Sequence, residues 1–371
     1  MVSEPLPASP WEALERFRRR AAAHPGGIVD LSVGSPVDPV PGIVHETLAR
    51  GEPQPSGYPT TRGSDEALDA VADWWARRRG VPRPRRERIA LTIGSKEFIA
   101  SAALFLGLGP GDVVVHPRLA YPTYAMGARL AGAEPIAEDE PRRWPRAARL
   151  VWLGSPGNPD GRVLDAARLR AAVERARELG AVLIGDECYA ELGGDDGAAV
   201  PSVLDPEVSG EGGEGVLACS SLSKRSNLAG LRAAWFTGDA RLVERLLTAR
   251  RHAGLMVPAP VQRVLAAVLA DDAHAEAQRR RYGRRRAALR AALAAWGLRV
   301  EGSEAGLYLW GTRGEEGWRT VERLAALGIL AAPGRFYGEA GERFVRLALT
   351  ADDASIAEAV RRLEGAASAR L

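Results

Sequence analysis

Lysine is almost missing from this chain. Of 50 basic residues only two are lysines, Lys96 and Lys224, and the rest are arginine. A guanidinium keeps its proton at any working pH, whereas a lysine amine loses it when desolvated or set beside other cations, and then attacks carbonyls. If a side chain here condenses with an aldehyde, the choice lies between those two.

Cysteine is scarce as well. Cys188 and Cys219 both fall in apolar, strand-like runs, which suggests reduced thiols in a cytoplasmic protein, and neither has the partners of a nucleophile. Five histidines are scattered without ligand spacing, so no metal site is expected. No apolar run approaches the roughly 18 residues that suggest a membrane span, and the first ten residues carry no basic start followed by an apolar stretch. A soluble protein that is not exported is expected. Net charge is small, +3 from 50 basic and 47 acidic residues, and gives no reason to expect nucleic acid. The densest basic run, Arg279 to Arg286 around Tyr282 and Gly283, reads as the solvated face of a long helix, because alanines and leucines follow at helical spacing.

What is present is ordinary globular composition, 46% apolar and 26% charged, over 371 residues. That length allows two domains, since single cores stop growing near roughly 250 to 300 residues. Residues 11–23 read as an amphipathic helix, 28–41 as an extended segment, and 56–59 as an exposed turn before a helix at 64–79. From 88 onward short apolar strands at 89–93, 113–116, 150–153, 182–184, 216–219 and 233–237 alternate with helices. The pattern predicts an α/β fold with a mostly parallel sheet covered on both faces. Past about 270 come a long helix (273–296), strands at 298–301, 307–310 and 344–349, and helices at 316–327 and 354–364. The expected division is a large domain, 36–271, and a smaller α+β domain made of 1–35 and 272–371.

Ligands of such sheets bind beyond the carboxyl ends of the strands. Those ends hold Gly94-Ser95-Lys96, Asn158, Asp186 and Ser221 to Lys224. Gly94-Ser95-Lys96, between a strand and a helix, offers backbone N–H groups to an anion such as phosphate. Ser221 and Arg232 flank Lys224 with a hydroxyl and a fork-shaped cation that together suit a phosphate dianion. Asp186 closes an apolar strand, where a carboxylate is costly unless a cation meets it; a protonated pyridine nitrogen is one such partner, a helix cap or internal ion pair another. Asn158 in Gly157-Asn-Pro-Asp-Gly161 reads as a turn, Tyr121 as core, and Arg346 as either a snorkelling edge residue or a carboxylate clamp. The glycines between 107 and 112 form a connecting turn without a following Walker lysine, which disfavours a nucleotide site.

Taken in order from Gly34 to Arg346, these residues resemble the fold-type I pyridoxal phosphate enzymes, specifically the class I/II aminotransferases. The resemblance implies that Lys224 carries pyridoxal 5'-phosphate and shuttles the proton, that Asp186 pairs with the ring nitrogen, and that Asn158 and Tyr189 bond the phenolic oxygen. Tyr121 would stack on the ring. Gly94, Ser95, Lys96, Ser221 and Arg232 would form the phosphate cup, joined by Tyr58 from the second subunit of a homodimer. Arg346 would clamp the substrate α-carboxylate, helped by backbone near Gly34. Asp160 stands where the family's turn often carries threonine. The run 221–230, the loop 94–97 and the compact length look like the succinyldiaminopimelate aminotransferases of lysine and diaminopimelate synthesis, which exchange an amino group between glutamate and N-succinyl-2-amino-6-oxopimelate. That substrate asks for a second cation, with Arg225, Arg118 and Arg335 as candidates. An aspartate or broad-range aminotransferase, or a lyase on the same fold, is the alternative.

Overall fold

The computed structural model describes residues 10–50, 57–193 and 199–368. Ser56 of the expected turn, and residues 1–9, lie outside the described residues. Seven strands form the large sheet: β1 (Ile89–Ile93), β2 (Val113–His116), β3 (Glu134–Ala137), β4 (Ala148–Gly154), β5 (Val182–Asp186), β6 (Val216–Ser221) and β7 (Ala233–Gly238). Their spatial order is β1-β7-β6-β5-β4-β2-β3. Neighbours from β6 through to β3 run parallel. Strand β7 runs antiparallel to both β6 and β1. The reason is local: the stretch from Leu222 to Arg232 is shorter than the roughly dozen residues a parallel crossover needs. β7 therefore starts on the edge where its neighbours end, and Arg232, just before it, lies on that edge.

Alternate residues of these strands face two separate cores. Leu183, Ala218 and Trp235 pack with Trp74, Trp75, Val173 and Leu265 from the helices Asp65–Arg79, Ala166–Leu179 and Ala259–Ala270. Ile184, Leu217 and Phe236 pack on the other side with Phe98, Tyr124 and Leu246 from the helices Ser95–Phe105, Thr123–Leu130 and Ala240–His252. The α/β class expected from the sequence is what the structure has. β3 was not expected; it is an edge strand carrying Pro135 and lacks a buried apolar face.

A second sheet, antiparallel, contains β8 (Arg299–Glu301), β9 (Tyr308–Thr312), β10 (Ala332–Pro333) and β11 (Val345–Ala348), in the order β10-β11-β9-β8. Its core includes Leu289 and Leu293 of the helix Asp272–Ala295, and Leu14 and Phe17 from the amino-terminal stretch. Val29–Asp30 pairs in parallel with Ile329–Leu330, and Ala348 N–H donates to Leu31 O at 2.7 Å. This pairing carries Ser32 to Gly34 towards the carboxyl edge of the large sheet.

Two expectations need correction. The basic run 279–286 is solvated only in part: Arg280 and Arg284 are exposed, but Tyr282, Arg285 and Arg286 are buried. Arg285 forks onto Asp38 (2.6 and 2.8 Å) and donates to Asp353 (2.6 Å), so its charge is met internally. Cys188 is not in a strand but in the turn after β5, beside buried Cys219. Among the described residues no helix is long and apolar enough to cross a membrane.

Candidate active site

Strand register brings the candidate residues together. Ile93 of β1 pairs with Ala233 of β7, which sets Gly94 beside Arg232. Asp186 pairs with Gly154 on one side and Cys219 on the other. Ser221 ends β6 opposite Ala234, and the short helix Leu222–Arg225 then presents Lys224.

Gly94 has φ +76°, and a Cβ there would lie 2.0 Å from Arg232 Nη2. Arg232 itself has φ +56°, and its Nη1 donates to Ala229 O at 2.8 Å. The helix Ser95–Phe105 begins without a side-chain cap, so its first amides remain available to an anion. The Lys96 side chain is exposed; what it could give a phosphate is its backbone amide. Ser221 is the N-cap of the next helix, its Oγ accepting from Ser223 N at 3.1 Å and lying 2.9 Å from Ser223 Oγ.

Asp186 is 7% exposed. It accepts from Tyr124 Oη at 2.8 Å and from Cys188 N–H at 3.2 Å, and among the described residues no arginine or lysine pairs with it. Its carboxylate and the thiols of Cys188 and Cys219 lie within 4.8 Å of one another, and burial pushes the Tyr124 hydroxyl well up, with the Asp186 charge adding to it. A buried carboxylate lacking a cation suits a protonated ring nitrogen. Tyr121 is half-buried and meets Tyr124 edge-on, centroids 5.9 Å apart.

Lys224 Nζ donates to Gly34 O. Arg346, on β11, is buried and donates to Asn158 Oδ1 and to Ser32 O, both at 2.8 Å, leaving its buried Nε without a partner. Its guanidinium sits between Tyr308 (3.9 Å) and Tyr337 (4.6 Å). Of the two readings left open, the snorkelling edge residue is excluded, since β11 lies between β9 and β10. Asn158, read as a turn former, spends its side chain on Arg346 rather than on its own loop. Tyr189 Oη lies 3.1 Å from Tyr308 Oη. Tyr58 is 92% exposed and bonded to none of these side chains.

Two residues escaped sequence reading. Tyr124 and Tyr308 look like core aromatics in their apolar contexts, and the contacts of Tyr308 with Arg346 and Tyr189, together with the close approach of Gly34 to its hydroxyl, mark it as part of the site. Of the candidate cations for a distal carboxylate, Arg225 is ruled out: it is buried and forks onto Glu191, which is also held by Arg78 and Trp74. Arg335 pairs with Glu342 at 2.7 Å. Arg118 makes no side-chain bond among the described residues. It lines a cavity of about 970 Å³ that also touches Tyr124, Gly154, Asn158 and Asp160.

The pattern of the family Aminotransferase class I and II matches residues 27–363. The chain is a class I/II aminotransferase. Members of this family use pyridoxal phosphate, and the buried Asp186 carboxylate that no arginine or lysine meets, the Gly94–Arg232 cradle and the lysine just past the end of β6 fit that group. Over 96% of its length the aminotransferase is 51% identical to the 4-dedimethylamino-4-oxo-anhydrotetracycline transaminase OxyQ of Streptomyces rimosus, 99% of which is covered. It is 50% identical over 98% of its length to a probable aminotransferase of Mycobacterium tuberculosis, 86% of which is covered. Among solved structures, a probable N-succinyldiaminopimelate aminotransferase from Thermus thermophilus superposes with a TM-score of 0.86 at 29% identity, covering 96% of this chain and all of that one.

Proposed function

We propose that this aminotransferase transfers an amino group, by a ping-pong route, between glutamate and N-succinyl-2-amino-6-oxopimelate, in the cytoplasm and as a homodimer. The likeness to the Thermus enzyme carries the reading. Beside Tyr124 and Asn158 opens a cavity of about 970 Å³ whose lining includes Arg118 but neither Lys224 nor Arg346, so a long acceptor held at its α-carboxylate could extend a second carboxylate into it.

In this reading the large domain, 36–271, holds the cofactor, and the smaller domain, 1–35 with 272–371, contributes Gly34 and Arg346 to the site. Pyridoxal phosphate supplies an aldehyde that takes up the amino group and a ring that accepts electrons. Lys224 would hold the aldehyde end through Nζ, and its amine would move the proton at the substrate Cα. Asp186 would keep the proton on the ring nitrogen, Asn158 and Tyr189 would bond the phenolic oxygen, and Tyr121 would pack against the ring. Ser221, Arg232 and the segment Gly94, Ser95, Lys96 grip the phosphate, with Tyr58 reaching it in the second subunit. Arg346 takes the substrate α-carboxylate beside Gly34. Exposed Val33, Val37, Leu48 and Tyr58, grouped in one stretch of chain, support burial against a second copy.

An acceptor screen with glutamate as donor tests the substrate. The succinylated oxopimelate should give a higher kcat/KM than oxaloacetate or pyruvate, and equal or better rates with the small acids would overturn the assignment. The 51% identity to OxyQ favours a second reading, an oxo-anhydrotetracycline acceptor, which belongs in the same screen.

A further inference from the structure

Tyr189 follows β5 of the large sheet, whereas Tyr308 lies on β9 of the small one. Their hydroxyls, both buried, meet 3.1 Å apart, and either can donate. Tyr308 pairs across the sheet with Ala348, while Arg346 pairs with Trp310. The small alanine leaves Arg346 free to lie 3.9 Å over the Tyr308 ring. Lys224 bonds the carbonyl of Gly34, the residue packed against the Tyr308 hydroxyl. Phenylalanine would fill nearly the same volume and stack under Arg346 equally well. A buried hydroxyl costs free energy unless it is bonded. Its presence at this junction therefore calls for a role in the bond it makes.

We propose that Tyr308 is a positioning residue for Tyr189: its hydroxyl donates to Tyr189 Oη and so commits the Tyr189 proton to the cofactor's phenolic oxygen. The inference rests on the proposed contact between Tyr189 and that oxygen. Hydroxyls in series polarise one another, so the inner bond is strengthened by the outer one. The groups facing Tyr308 are Tyr189 and Asp186 from the end of β5, Lys224 from the helix after β6, and Arg346 from β11, with Tyr337 beyond the guanidinium. Burial alone would raise the Tyr308 hydroxyl, but Arg346, Lys224 and the bond to Tyr189 outweigh it and bring it down. Burial and Tyr308 push Tyr189 well up. Each hydroxyl has a single proton, so a Tyr189 that gives its own to the phenolic oxygen leaves the 3.1 Å contact for Tyr308 to donate, which sets the order of the two bonds.

The test follows the visible absorbance band of the holoenzyme against pH. A phenolic oxygen that loses a donor keeps more negative charge and holds the neighbouring nitrogen's proton to higher pH, so the midpoint of the band rises. Tyr189→Phe should raise it by about one pH unit, the scale of one hydrogen bond. Tyr308→Phe should raise it by roughly a third of that, as a bond that strengthens another. In a Tyr189→Phe background the Tyr308→Phe change should move nothing further. All these variants keep their rings, and near-UV circular dichroism checks each fold. An unmoved midpoint in Tyr308→Phe, or a shift that simply adds in the double variant, overturns the positioning role while leaving the Tyr189 contact standing. An unmoved midpoint in Tyr189→Phe overturns that contact and the inference together.

Discussion

The guanidinium of Arg232 fills the space in which a side chain at residue 94 would begin. A Cβ on Gly94 would lie 2.0 Å from Nη2 and 2.5 Å from Cζ, at a φ of +76°. Gly94→Ala therefore has to displace the guanidinium and to strain the backbone, which at φ +76° and ψ 154° costs a non-glycine residue roughly 1 to 3 kcal/mol. We predict that cofactor affinity falls about 10-fold or more in this variant, read as the Kd of the apoenzyme for pyridoxal phosphate. Arg232→Ala should lose a similar or larger factor, because a charge-assisted bond contributes about 1.5 to 3 kcal/mol.

With only two lysines in the chain, the cofactor's attachment point can be read directly. Borohydride reduction of the loaded enzyme should leave the added mass on the peptide containing Lys224 and none on that containing Lys96. Lys224→Ala should retain the fold, by far-UV circular dichroism, with transamination lost. Label on Lys96, or turnover in the variant, would defeat the assigned chemistry.

Much of this site could be read in the sequence because a parallel sheet gathers its strand ends on one edge. Gly94, Asn158, Asp186 and Lys224 needed only the strand pattern to be grouped. Lys224 also stood out by rarity. What stayed hidden were partnerships across the fold. Arg225, next to the lysine, looked available for substrate, and nothing in sequence discloses that Glu191, 34 positions away, neutralises it in the interior. Arg285 looked solvated because Asp38, 247 positions away, comes from a segment that reads only as extended chain. Tyr308 alternates with apolar neighbours as a core residue does, and its hydroxyl acquires meaning only once Tyr189 is beside it.

The Glu191 cluster makes a pH-dependent contribution to stability. Burial acts to raise the Glu191 carboxyl, but Arg225 and the bonds from Arg78, Arg225 and Trp74 outweigh it and hold the group below its ordinary value of 4.5. A depressed carboxyl stabilises the fold above that value, and the contribution is lost as pH falls through the folded pKa. Glu191→Gln leaves the Arg225 charge buried and uncompensated, at a cost of roughly 3 to 5 kcal/mol. We predict that urea unfolding separates wild type from this variant by about that much at pH 7, and that the gap narrows steadily below pH 4.5. A gap that stays constant down to pH 3 would mean that the pair does not titrate as described.

Arg118 is the cation on which acceptor selectivity is expected to turn. It lines the cavity that continues from Asn158, and its guanidinium is bonded to nothing among the described residues, so no internal pair has to be broken to meet a carboxylate. Removing it should cost only the contact to the distal carboxylate, about 1.5 to 3 kcal/mol for a charged hydrogen bond. Arg118→Ala should therefore raise KM for N-succinyl-2-amino-6-oxopimelate by about 10- to 100-fold, with KM for pyruvate and the rate of the glutamate half-reaction unchanged. Arg335→Ala, which removes a side chain already paired with Glu342, serves as the control and should alter neither. An equal loss with pyruvate and the long acceptor in Arg118→Ala would place the residue in general site architecture, and the distal carboxylate would then need another partner.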